Sequence, residues 1–77
     1  MLASYHPRMK GIQKRVVYKI REAMARKEFS IGTLAAESGL DKSYLSKILR
    51  GIRRMNLEQL EEIAKSLKTD PADLFKD

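Results

Sequence analysis

Two glycines and two short polar residues punctuate the middle of this chain with a spacing that leaves little choice of fold. Ser30 is suited to cap the start of a helix over 31–38. Gly39 stands where that helix must end with positive φ, a conformation glycine adopts without steric cost. Asp41 caps a further helix, which runs through Arg50 and is closed by Gly51. The expected product is a pair of short helices across a tight turn, in which Leu34 and the small Ala35 face the second helix.

The flanking sequence supplies more helices and no credible strand. Ile12, Val16, Ile20 and Ala23 recur at helical spacing and predict a first helix reaching about Lys27. Asn56 followed by Gln59 is a capping-box signature, with Leu57, Leu60, Ile63, Ala64 and Leu67 expected on the inner face of the helix it opens. Asp70-Pro71 provides a cap and a rigid first residue for a short fifth helix. Residues 1–11 lack periodicity and contain Pro7, so they are expected to form a flexible N-terminal arm. Residues 12–77 then form one all-α domain, a compact bundle of five short helices with the paired helices at about 31–50.

Charge narrows the partner. The net charge is +6, and it is unevenly spread. Residues 1–54 hold thirteen Lys/Arg against four Asp/Glu, whereas residues 55–77 hold three against six. One part of the molecule is thus suited to a polyanion and the other is not. The absence of cysteine excludes disulfides and thiolate metal sites, and fits a reducing cytoplasm. No apolar run approaches the roughly 20 residues that span a bilayer. His6 is the only histidine, and no nucleophile–base set, metal cluster or phosphate-binding glycine loop is recognisable. An enzyme, a cofactor and a membrane partner are therefore not expected. Glu58, Glu61 and Glu62 are read as solvated charge favoured near a helix N-terminus.

The third helix carries the functional signal. At about 100° per residue, Lys42, Ser46, Arg50, Ser43 and Lys47 sweep one arc, Ile48, Leu45 and Leu49 fill the other, and Tyr44 sits at the boundary. The polar arc contains no acid. A helix face that merely meets solvent usually mixes signs, because alternating charges pair along it. Cations and hydroxyls alone suit a groove lined with acceptors. Arg53 and Arg54 follow Gly51 beside the same face and read as clamps on a phosphate backbone. Gly32, in the first turn of the second helix, has two readings: a glycine simply tolerated where a first turn frays, or one that leaves the amides of residues 31–33 open to a phosphate. In the arm, Arg8 and Lys10 are expected to add backbone contacts. Single-stranded RNA is disfavoured, since only Tyr44 offers a stacking aromatic near the basic face.

These residues resemble the Cro/repressor-type (XRE) helix-turn-helix family of bacteria and phages, over about residues 14–75. The resemblance rests on Ser30-Ile-Gly-Thr-Leu-Ala35, Ser38-Gly-Leu-Asp-Lys-Ser-Tyr-Leu-Ser-Lys-Ile48, Arg50-Gly51, Leu57-Glu-Gln-Leu-Glu-Glu-Ile-Ala-Lys-Ser-Leu67 and Asp73-Leu-Phe75. It implies a lambda-repressor-like fold and a small transcriptional regulator of double-stranded DNA. The third helix would enter the major groove, with Lys42, Ser43, Lys47, Ser46 and Tyr44 at the bases. Thr33, Arg50, Arg53 and Arg54 would approach phosphates. Family members usually act as homodimers, whose half-sites lie roughly 34 Å apart on a two-fold operator. Leu74, Phe75 and parts of the fourth helix are expected at that interface.

The chain departs from the family pattern in three places. Ile31 stands where a polar residue is usual, and Ser38 where an apolar one is common. Met24 and Leu49 occupy positions where many members carry an arginine and a glutamate in a buried ion pair. Losing both charges together is coherent, since an apolar pair replaces a buried ion pair at little cost; Met24 is expected to touch Leu49. The resemblance also leaves open an antitoxin with a protein partner, or a controller of a restriction–modification operon.

Overall fold

The computed structural model describes residues 11–75, which form four α-helices and a closing 3-10 turn. The helices are α1 (Gly11–Lys27), α2 (Ile31–Ser38), α3 (Lys42–Leu49) and α4 (Leu57–Ser66), and the turn is Pro71–Phe75. The expected fifth helix is therefore a 3-10 turn, started by Asp70 as foreseen: its carboxylate accepts from Ala72 N–H at 3.0 Å and its carbonyl from Asp73 N–H at 2.9 Å. Of the expected N-terminal arm, residues 1–10, with Arg8 and Lys10 among them, lie outside the described residues, and Gly11 opens α1.

Local chemistry sets the helix starts. The Ser30 hydroxyl accepts from Thr33 N–H at 3.0 Å, and the Asp41 carboxylate from Tyr44 N–H at 3.1 Å. Asn56 and Gln59 form the reciprocal capping box, with bonds of 2.8 and 2.9 Å. Each cap satisfies amides that the first turn leaves without a carbonyl.

All four helices end in a left-handed residue. At α2 and α3 it is glycine, Gly39 at φ 75° and Gly51 at φ 80°. At α1 and α4 it is Glu28 at φ 58° and Lys68 at φ 54°. Around Glu28 the next amide reaches back to the helix, Phe29 N–H to the Met24 carbonyl at 2.9 Å; around Lys68, Thr69 N–H reaches the Ala64 carbonyl at 2.9 Å. A side chain at such a position is strained, whereas glycine is not. Glu28→Gly and Lys68→Gly should each stabilise the domain by about 0.5–1 kcal/mol, offset in part by the freer unfolded chain. Urea melts monitored by circular dichroism will show this as higher midpoints; lower midpoints would mean that these side chains carry contacts worth more than the strain.

Tertiary packing joins the helices around one apolar cluster. Val16, Val17, Ile20, Ala23 and Met24 of α1 meet Leu34 and Ala35 of α2, Leu45 and Leu49 of α3, and Leu60, Ile63 and Ala64 of α4, with Leu67 and Leu74 closing it. The second helix packs on both α3 and α4, while α1 packs on α3 and the 3-10 turn. Met24 and Leu49 are buried in this same cluster. Ser38, the buried polar side chain among the described residues, is satisfied within its own helix by the Leu34 carbonyl at 2.7 Å.

Two apolar positions depart from the expected inner faces. Ile12 is 62% exposed and Leu57 75%, although both continue the apolar rhythm of their helices. Each lies in the first turn of its helix, beyond the reach of the core. Leu74 departs in the other direction: it is 2% exposed and belongs to the core, whereas its neighbour Phe75 is 43% exposed.

Candidate nucleic-acid interface

Burial of Leu45, Ile48 and Leu49 fixes the roll of α3 about its axis, and so determines which residues face outward. Lys42 and Ser43 are exposed, Ser46 and Lys47 half-buried, and Arg50, just past the helix end, exposed. The outward arc is the acid-free one read from the sequence. At its N-terminal end lies the cap Asp41, whose carboxylate oxygen accepts from the Tyr44 amide.

The segment after α3 is held by the backbone. Ile52 N–H and Arg53 N–H both donate to the Lys47 carbonyl, at 2.9 and 3.3 Å, and Gly51 N–H donates to the Ile48 carbonyl at 3.0 Å. This paired closure requires the left-handed Gly51. It brings the exposed Arg53 and Arg54 back beside the C-terminal end of the cationic arc. The Arg50 Nε also folds onto its own helix, donating to the Ser46 carbonyl at 3.4 Å.

On α2, Thr33 is exposed and its hydroxyl lies 3.0 Å from that of Ser30. A Cβ added to Gly32 would meet only the Ser30 Oγ, at 3.7 Å, so neither packing nor backbone conformation requires glycine there.

Tyr44 lies apart from the other residues expected at bases. Its ring is half-buried, and its hydroxyl donates to the Arg54 carbonyl at 3.3 Å and to Gln59 Oε1 at 3.4 Å. The single phenolic proton is thus shared between the loop and α4. A helical wheel placed Tyr44 at the boundary of the arc but carries no information on what lies over that boundary.

Arg21 is a second contributor not singled out in the sequence. From α1 its guanidinium donates to the Leu49 carbonyl at 2.8 Å, at the C-terminus of α3. That end of a helix carries unsatisfied carbonyls and partial negative charge, which a cation relieves. The available signal was its position one turn before Met24, the residue expected to face Leu49.

Two short helices across a glycine turn, the second locked by its leucines with a cationic face outward, define a helix-turn-helix DNA-binding domain. Comparison with known proteins agrees. The family model for the Cro/C1-type HTH DNA-binding domain matches residues 19–77, and the chain belongs to that family. It is 42% identical over 57 residues to the HTH-type transcriptional regulator SlrR of Bacillus subtilis, a match covering 73% of this chain and 38% of SlrR. It is 37% identical over 58 residues to the control protein C.BamHI of Bacillus amyloliquefaciens, covering 74% of this chain and 72% of that protein. The crystal structure of the restriction-modification controller protein C.AhdI from Aeromonas hydrophila superposes with a TM-score of 0.77 at 35% identity, over 82% of this chain and 96% of C.AhdI. The family is one of DNA-binding domains and not of enzymes. Among the described residues no helix is long and apolar enough to cross a membrane.

Proposed function

We propose that this chain is a transcriptional regulator that binds a two-fold operator as a homodimer, with α3 of each copy in the major groove. The observation that carries this reading is the outward, acid-free arc of α3. Lys42 and Lys47 would donate to guanine O6 and N7, with Ser43 and Ser46 filling in at neighbouring bases. Thr33, Arg50, Arg53 and Arg54 would hold phosphates on either side and set the register. Selection from a random pool of duplexes tests it. The expected result is an inverted repeat with half-site centres about 10 base pairs apart. Failure of every duplex to bind at low ionic strength would end the proposal.

The pairing of copies is supported by an apolar groove of about 330 Å³ that Ile12, Val16, Met55, Leu57, Leu60 and Phe75 help to line. Its rim contains both residues whose apolar rhythm the monomer leaves uncovered. Because Leu74 is core, Leu57→Asp is the cleaner test, with Phe75→Asp beside it. Sedimentation of the parent should give twice the monomer mass of 8.9 kDa, and each variant a single monomer mass. Variants that remain dimeric would move the interface elsewhere.

A second reading is favoured by what two of the similar proteins are: C.AhdI, at a TM-score of 0.77 and 35% identity, is a restriction-modification controller protein, and C.BamHI, at 37% identity, is a control protein. This supports a controller of a restriction–modification operon as the kind of regulator concerned, and a nuclease or methyltransferase gene alongside would establish it. The bacterial relatives also support a bacterial, phage or plasmid origin and action in the cytoplasm.

A further inference from the structure

The loop between α3 and α4 carries two exposed arginines, and its backbone path decides where their guanidiniums can go. Its first half is fixed by the closure at Gly51, in which Ile52 and Arg53 both donate to the Lys47 carbonyl. Its far end is fixed by Met55, whose side chain packs against the core, and by Asn56, whose N–H donates to Gln59 Oε1 at 2.9 Å. Between these anchors, Arg54 is reached from α3 itself. The Tyr44 hydroxyl donates to the Arg54 carbonyl at 3.3 Å and, at 3.4 Å, to the same Gln59 oxygen that receives Asn56 N–H.

We infer that Tyr44 is a positioning residue: its phenol ties the loop to α3, and so sets where Arg53 and Arg54 meet the DNA backbone relative to the bases under Lys42 and Lys47. A loop held before binding loses little further freedom on the duplex. A loose one must be ordered at that moment, and the cost falls on every sequence alike, because phosphates carry no base identity. Gln59 contributes one oxygen to both the capping box and the phenol. The start of α4 and the side of α3 are therefore joined through a single acceptor, and the loop between them moves with neither helix separately. Removing only the hydroxyl leaves the ring, the capping box and both arginines in place.

This inference rests on the reading that Arg53 and Arg54 hold phosphates, and a double-mutant cycle separates the two. Tyr44→Phe is made in the parent and in an Arg53→Ala/Arg54→Ala background, and each protein is titrated with the selected operator and with a scrambled duplex of equal length. In the parent, Tyr44→Phe should weaken binding about three- to fivefold on both duplexes, the range expected for one long hydrogen bond. In the double-alanine background it should cause no further loss, because the groups it positions are gone. Equal losses in both backgrounds would overturn the inference, since the phenol would then contact DNA directly or support α3 in general. A loss confined to the operator, with altered base preference, would overturn it in favour of base contact; no loss at all would also overturn it. The underlying reading fails separately if the double-alanine variant binds both duplexes as tightly as the parent, with an unchanged salt dependence. Thermal unfolding of each variant checks that the fold survives.

Discussion

Replacing Leu49 with glutamate should unfold most of this domain, and adding Met24→Arg should restore it. Leu49 is 2% exposed and Met24 8%, in one apolar cluster. A carboxylate placed there has no designed partner, and an unpaired buried charge costs about 3–5 kcal/mol. A domain of this size has roughly 4–12 kcal/mol in total, so the single variant sits near or below its threshold. An arginine at position 24 would recreate the pair that many members of the family carry. Met24→Arg alone should be milder, because a long side chain can carry its charge to the surface. Urea melts of the four proteins measure the coupling directly. Recovery of at least about 2 kcal/mol in the double variant is expected for two side chains in contact. Additive losses would mean that positions 24 and 49 do not meet. They would also leave open a different partner for the new glutamate, namely Arg21, already 2.8 Å from the Leu49 carbonyl.

The second large effect concerns base reading. Lys42→Ala and Lys47→Ala should each lose about 1–3 kcal/mol of discrimination at one operator position, up to roughly a hundredfold in preference. The two positions should differ, since the lysines sit at opposite edges of the arc. Arg53→Ala should instead weaken all duplexes alike and reduce the salt slope by about one. Lys47 is half-buried, but the backbone carbonyl that anchors the following loop is retained in Lys47→Ala, so the substitution leaves that closure in place. Binding-site selection repeated with each variant separates these outcomes. An unchanged preference in both lysine variants would place base reading on other residues.

How much of this was legible in the sequence depends on how local the determinant is. Ser30, Asp41 and the Asn56–Gln59 pair were readable because a cap is a contact within one turn, encoded by residue type and spacing. Gly39 and Gly51 were readable because only glycine enters the left-handed region freely. Glu28 and Lys68 adopt that region too, where the amide that follows each closes back onto its helix, and nothing in their chemistry announces it. Apolar rhythm placed Val16, Ile20 and Leu60 correctly but misplaced Ile12 and Leu57. Periodicity reports that a face seeks cover, not whether the same chain provides it. The hydrogen bonds of Tyr44 and Arg21 were not legible for a related reason. Their partners, Arg54 and Gln59 in one case and Leu49 in the other, are reached only through the folded arrangement of separate elements. The cationic arc was legible because α3 is short enough for its wheel to be drawn without error, and because its three leucine-type anchors are buried as drawn.

An interior free of charged side chains among the described residues has a consequence for the response to salt. Added salt acts on counterions at a duplex surface, not on the apolar contacts that keep the helices together. Raising salt should therefore release the domain from DNA while leaving its melting temperature nearly unchanged, so that what comes off the duplex is still folded.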